Sequence, residues 1–353
     1  MLFSVSAQPY FRHLKRLVRG PGTLESASFK KEMLCAEAPA IYSPTIYLAG
    51  QLERITNSPV ESTKEIEIAA ATTLSDTHPP TLAYHFRDAA LVDGSVYVGT
   101  LRHFLTNHRQ QVGPPIDACK YDNCGLVSSY YGLKYFGHWL KDDCATHLLA
   151  STIGVPPLFL PIPPSPHENQ YRSWFDHTDA PVVRAWIRHL VVFDDMAHNS
   201  LRLKRYEALR EKVGRQFPRK HHQLLVYLKR GKIGQRRVLQ NEEDLIEVLT
   251  KQGYVVVDVE NDDLKTIIAT LVDAKVVVSI EGSHIAHCTF SVPRDSALLV
   301  LQPPDRFAAN HRKWANCLGV RFGFVVGSVG QHGYIFDPDE ILRTVDLMIS
   351  GSH

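Results

Sequence analysis

KVVVSIEGSHIAHCTF, residues Lys275–Phe290, decides the fold class. The β-branched run Val276, Val277 and Val278 reads as a strand that stops at Glu281-Gly282-Ser283, and a helical stretch begins near His284. A buried strand that ends in a Gly-containing turn and opens a helix gathers backbone N–H groups and the positive helix end at one place. Phosphate or another anion suits that place, which in open α/β sheets lies outside the carboxyl ends of the strands. The full G-x-G-x-x-G is lacking, and a plain strand–helix connection has the same pattern. The flanking segments therefore carry the argument.

Working outward, Leu224–Lys229 reads as a strand ending at Arg230. A polar loop with Arg236 and Arg237 follows, then Asn241-Glu242-Glu243, a cap residue with first-turn acids. The helix Glu242–Lys251 puts Leu245, Ile246 and Leu249 on one face, and Gly253 closes it. Tyr254–Val259 is the next strand, and Asp262–Asp273 a helix with Leu264, Ile267, Ile268 and Leu271 inward. After Lys275–Ile280 come a strand at Ala297–Leu301, a helix around Ala308–Asn316, a strand at Arg321–Val326 and a last helix, Pro338–Ile349, opened by a proline whose missing N–H costs nothing there. This alternation means βαβ units and a parallel sheet covered on both faces.

At 353 residues the chain has room for two domains. The expected division is an N-terminal extension over 1–36, an α/β domain over 37–216 and a second over 217–353, with the break at Phe217–His222. A composition 44% hydrophobic and 22% charged is that of a globular protein. No apolar run approaches a membrane span. The net charge of +2 argues against a dedicated nucleic-acid binder. The six cysteines fit neither a zinc knuckle nor a redox C-x-x-C and read as reduced thiols. The N-terminus lacks a signal-peptide pattern, so a cytoplasmic location is expected. Residues 11–19 carry Arg12, Lys15, Arg16 and Arg19 among Phe11, Leu14, Leu17 and Val18, which suits either a terminal helix or peripheral contact with a membrane's inner face. Positive charge concentrates between Arg202 and Arg237; Arg202–Arg215 reads as a solvated helix face.

In the first half, Glu65–Ala69, Thr81–Arg87 and Ser95–Val98 alternate as strands do, with Asp93-Gly94 as a hairpin turn. Tyr135–Ala150 has a helical apolar face of Leu140, Cys144, Leu148 and Leu149. His138 and Asp142 stand one turn apart on it, so they can hydrogen-bond or address one ligand together. An imidazole–carboxylate pair is a common general base; a capping histidine beside surface aspartates is the other reading. Leu190–Asp195 is a strand ending in two acids, with Asp195 expected to cap the next helix. His284 and His287 stand at i and i+3, but no third metal ligand accompanies them.

Three segments in order resemble the glycosyltransferase family 61 domain. They are Tyr135–Leu149 (YFGHWLKDDCATHLL), Val226–Leu245 (VYLKRGKIGQRRVLQNEEDL) and Gly253–Leu301, and the resemblance covers roughly residues 80–345. It implies a GT-B fold, two Rossmann-like domains facing a cleft, with a nucleotide-sugar held mainly by the C-terminal one and transfer with inversion. Two departures stand out: Glu281 occupies the position where the family's HGAAL turn begins with His, and Cys144-Ala145-Thr146 replaces Leu-Pro-Arg. The closer parallel is the bacterial enzymes of surface-polysaccharide synthesis.

The resemblance implies a nucleotide-diphosphate sugar donor and a glycan, lipid-linked glycan or protein acceptor. His138 with Asp142 is then the catalytic pair. Arg230, Arg236, Arg237, Asn241, Glu281, Gly282, Ser283 and His284 form the donor site. Arginine forks and helix-start amides can neutralise the departing diphosphate, so no cofactor and no essential metal are expected. The alternatives are a non-catalytic or degenerate sugar-nucleotide or carbohydrate-binding protein, and an NAD-dependent enzyme, against which the missing glycine fingerprint counts.

Overall fold

A computed structural model describes residues 8–106, 118–220, 223–231 and 237–351. Two compact units emerge: Met1–Ala38 with His78–Arg205, and Pro39–Thr77 with Tyr206–His353. The segment Pro39–Thr77 packs with the second unit, although it precedes most of the first in sequence. His221 and His222, at the expected break, lie outside the described residues.

The second unit holds the parallel sheet that the Lys275–Ile280 strand announces. Its five strands run in the order Tyr254–Asp258, Leu224–Lys229, Ala274–Ile280, Ala297–Gln302, Arg321–Val326, and every neighbouring pair is parallel. Ala297–Gln302 is buried throughout, as expected of a strand covered on both faces. Val276, Val278, Leu299, Leu301 and Val325 pack with Leu245, Leu249, Ile341, Val345 and Met348 from helices Glu242–Lys251 and Pro338–Ser350. Asp263 and Asp337 cap their helices by accepting from the amides of Thr266 and Asp339.

At the sheet's far edge the Phe324 amide donates to the Ile46 carbonyl, and the Ile46 amide to that of Phe322. Gly323 permits this approach, since a Cβ there would lie 2.7 Å from the Ile46 oxygen. Glu65–Ala69, expected as a strand, lies inside the helix Lys64–Thr72. Thr63 caps it by accepting from the Ile66 amide, and the alanines favour a helix over the short Glu-Ile-Glu-Ile alternation. Buried Arg312 donates to the carbonyls of Ser43, Ala70 and Thr73, fixing both ends of this segment.

The first unit is built on a seven-stranded sheet ordered Leu101–Phe104, Ser95–Val98, Thr81–Val92, Arg184–Asp194, Cys119–Leu126, Pro157–Leu158, with Lys30–Cys35 also paired to Thr81–Val92. Here the sheet is mixed rather than all-parallel: only Cys119–Leu126 runs parallel to its neighbours. Short hairpins make Thr81–Val92, Ser95–Val98 and Leu101–Phe104 antiparallel, and Thr81–Val92 also pairs antiparallel with the distant Lys30–Cys35 and Arg184–Asp194. Asp93 and Gly94 form the expected turn with φ of 42° and 78°, the left-handed pair of a two-residue hairpin. Arg184 holds Asp93 bidentately at 2.9 and 3.0 Å. The strands Lys30–Cys35, Leu101–Phe104 and Cys119–Leu126 carry no clear alternation in sequence; sheet partners make them strands.

Candidate functional site

In the second unit the chain order of the strands is 2-1-3-4-5, so the order reverses between Leu224–Lys229 and Ala274–Ile280. The crevice beyond their carboxyl ends is where ligands bind in such sheets. Arg230 follows the first of these strands and Glu281-Gly282-Ser283-His284 the second. The Arg230 Nη1 donates to the Glu281 carbonyl at 3.0 Å. Gly282 lies under that guanidinium: a Cβ would stand 2.4 Å from Nη1. Arg237 closes the other side, its Nη2 2.7 Å from the Glu281 carboxylate, with both side chains 7% exposed. The backbone just after Arg237 is pinned, since the Tyr334 amide donates to Val238 O and the Gln240 amide to Tyr334 O.

Burial, then the repulsion of Arg237 and Arg306 against the pull of Glu281, brings Arg230 down to about 10. Arg237 and Arg306 are thus near enough to Arg230 to repel it, and the Glu281 carboxylate is paired with Arg237. Arg306 is absent from the sequence-derived site. It sits just past the fourth strand's carboxyl end, and strand order, which sequence does not display, is what would have flagged it.

His284 is held differently. Ser279 Oγ donates to the Leu228 carbonyl at 2.7 Å and lies 2.7 Å from His284 Nε2, so Nε2 carries the proton and donates to that hydroxyl. Burial, then the charges of Arg230 and His287, holds the His284 imidazolium well below the usual range. The ring is neutral, and its basic nitrogen is Nδ1. Ser283 opens a short 3-10 turn, Ser283–Ala286, that continues as helix His287–Ser291. Such a short helix has little dipole, so positive charge here comes chiefly from the arginines. Asn241 stands at the start of helix Glu242–Lys251, where its amide pairs with the backbone of Phe336 at 2.8 and 3.2 Å. Arg236 lies outside the described residues.

The first unit brings His138 and Asp142 together. His138 Nδ1 lies 2.7 Å from Asp142 Oδ2. The helical run contains a π turn, Trp139–Asp143, between helical segments Phe136–His138 and Cys144–Thr152. Such turns re-aim side chains and recur at functional sites. This one buries Asp142 and Asp143 together, and neither is the surface acid of the second sequence reading. Lys141 Nζ reaches Asp142 Oδ2 at 2.5 Å, and Arg202 Nη1 reaches Oδ1 at 3.2 Å. Burial alone would raise the Asp142 carboxyl, but Lys141, His138 and Arg202 together hold it well below the usual range. The ionised carboxylate accepts the Nδ1–H of His138, which puts the imidazole's basic lone pair on Nε2. The His138 side chain is 23% exposed, and Tyr131 packs beside the ring at 5.3 Å.

Asp143 has the opposite character. Burial pushes its carboxyl well above the usual range despite the Ser129 hydroxyl at 2.7 Å and the Ser129 amide at 3.2 Å. A Cβ on Gly132 would strike it at 1.9 Å, so the Ser129–Gly132 turn is folded around this group.

The solvated face expected for Arg202–Arg215 is corrected here. Arg202 is 0% exposed and lies between Asp142 and Asp195, while Arg205 grips Asp195 bidentately at 2.6 and 2.8 Å. Further along, Arg210 donates to the carbonyls of Thr289 and Val292. Asp195 therefore does not cap the helix Ser200–Gln216; Asn199 does, accepting from the Arg202 amide at 3.1 Å. Among the described residues no group of three or more His, Cys, Asp or Glu is placed to hold a metal ion, and no helix is long and apolar enough to cross a membrane.

Both centres belong to an α/β protein with a parallel sheet, one supplying a carboxylate-held imidazole and the other converging arginines. Residues 136–299 match the family described as Glycosyltransferase 61. That stretch, which contains His138, Asp142, Arg230, Arg237 and Glu281–His284, is similar to the glycosyltransferase 61 family. The family points to glycosyltransferase activity. No curated protein matches the chain. Among solved structures, a mutant flavo di-iron protein from Thermotoga maritima is similar at 8% identity and a TM-score of 0.28, covering 77% of this chain. The match spans 64% of that protein's length, and at this score it bears on neither fold nor function.

Proposed function

We propose that this protein is an inverting glycosyltransferase that moves a sugar from a nucleotide-diphosphate donor to a glycan, lipid-linked glycan or protein acceptor in surface-polysaccharide synthesis. The observation that carries the reading is the convergence of Arg230, Arg237 and Arg306 at the carboxyl ends of a 2-1-3-4-5 sheet. Guanidinium forks match phosphate oxygens in pairs, and a departing diphosphate needs positive charge already in place. His138 takes the acceptor hydroxyl's proton on Nε2, while Asp142 stabilises the imidazolium that forms. Arginines supply the counter-charge, so neither cofactor nor essential metal is part of the scheme. A GT-B arrangement of the two units and a cytoplasmic location complete the proposal.

A thermal-shift panel of nucleoside diphosphates and nucleotide-sugars tests it, because a ligand selective for the folded state raises the melting temperature. Stabilisation by one nucleotide series is expected; no shift at millimolar concentration argues against the donor site. One observation favours a second reading. The Arg237–Glu281 pair occupies a guanidinium with a carboxylate where the family has a histidine, as a binding protein without turnover would allow. Sugar release from a bound donor, measured with and without acceptor, separates the two.

A further inference from the structure

The helix Gln8–Arg19 is turned with its polar side toward the protein. Pro9 is buried, and Arg12 donates to the carbonyls of Asp88 and Gly99 at 3.3 and 3.5 Å. The apolar side points outward: Tyr10 is 57% exposed, Leu14 60%, Leu17 71% and Val18 85%. Their spacing of i, i+4, i+7 and i+8 makes one stripe on a helix. Exposed His13, Lys15 and Arg19 flank it, and the helix contains no acid. A globular protein ordinarily turns such a stripe into its own core.

We propose that this stripe docks on an anionic membrane surface, lying in the plane of the interface. An apolar face rimmed by cations suits that boundary, where side chains enter the acyl region while Lys and Arg meet lipid phosphates. Charge argues for a membrane over a second copy. A two-fold contact pairs the same patch with itself, which would set Lys15, Arg16 and Arg19 against their own duplicates, whereas an anionic surface complements them. The helix is about 18 Å long, enough for a peripheral attachment and far short of a span.

Sedimentation of the full chain with phosphatidylglycerol–phosphatidylcholine vesicles, against phosphatidylcholine alone, tests the assignment. Binding to the anionic vesicles is expected, weakening at high salt. Leu14→Glu with Leu17→Glu is expected to lower partitioning tenfold or more. Lys15→Gln with Arg19→Gln is expected to lower it about 25-fold, at about fivefold per cation. Melting temperatures are expected to stay unchanged, since these side chains face solvent. Should the leucine variant melt early, the Lys15/Arg19 variant, which keeps the apolar stripe, decides alone. The proposal falls if the wild-type chain stays in the supernatant, if it prefers neutral vesicles, or if the variants bind as well as wild type. It falls equally if sedimentation velocity shows a dimer that Leu14→Glu with Leu17→Glu abolishes, because the face then belongs to a second copy.

Discussion

Arg237 and Glu281 form an ion pair of 2.7 Å in which both side chains are 7% exposed. The pair joins the loop after the first strand of the parallel sheet to the turn after the third, across the point where strand order reverses. In the proposed donor site a phosphate would meet an arginine already engaged by a carboxylate, which would couple donor binding to the geometry of the ion pair.

That coupling dictates how Arg237 is tested. Arg237→Ala leaves Glu281 buried without its partner, and breaking such a pair costs about 3–5 kcal/mol. Arg237→Ala combined with Glu281→Gln removes that penalty. The double variant is expected to melt closer to wild type than the single one, yet to bind nucleoside diphosphate about 10- to 100-fold more weakly, the worth of a charge-assisted contact. Undiminished affinity by calorimetry would take the phosphate role away from this residue.

Arg306→Ala tests the residue that strand order adds to the site. Its charge repels that of Arg230, so its loss relieves like charge in the free protein. Melting temperature is expected to hold or rise slightly while nucleotide affinity drops about tenfold. A loss of stability with affinity intact would make it a structural arginine.

His138→Ala is expected to lower turnover by about 10²–10⁴-fold, the usual size of a general-base contribution, with donor affinity nearly unchanged. Asp142→Asn carries a second cost, because Lys141 and Arg202 then lose a buried carboxylate. Its effect on turnover is therefore to be read on enzyme whose folded fraction has been measured. Full specific activity in folded His138→Ala would assign His138 a structural role.

The Asp142–Arg202–Asp195 chain makes stability depend on pH with a definite sign. Both carboxyls are held below their ordinary values, so their contribution is complete above the unfolded value of about 3.9 and is lost as pH falls through the folded values. Arg202→Met is expected to destabilise by about 3–5 kcal/mol near neutrality and by progressively less below about pH 3.9. There carboxyls freed of Arg202 take up protons, while those of the wild type stay ionised down to their lowered folded values. Melting curves from pH 3 to 7 show this as a narrowing gap; a constant gap would mean that packing, not charge, is lost.

Asp143, which the helical wheel alone would leave nearly silent, is expected to matter for folding. Asp143→Ala strands the Ser129 donors and should cost about 1–3 kcal/mol. Asp143→Asn, which keeps the shape and needs no buried charge, should melt near wild type at pH 7. Equal losses in the two variants would rule out the raised carboxyl as the reason.

The sequence by itself determined whatever depends on near neighbours along the chain. The helix Glu242–Lys251 and the strands Leu224–Lys229 and Arg321–Val326 occupy the residues that the sequence pattern marks. The His138–Asp142 contact follows from their one-turn separation. Alternation misled at Glu65–Ala69, where five residues cannot outweigh a capped, alanine-rich helix. The tertiary structure alone decided the 2-1-3-4-5 order, and with it the approach of Arg306 to Arg230 and Arg237. It also decided that Arg202 and Arg205 are buried against Asp142 and Asp195 rather than solvated. The physical reason is range. A local pattern records which side of an element is apolar, whereas a buried ion pair exists only where packing brings together charges far apart in sequence and removes the water between them.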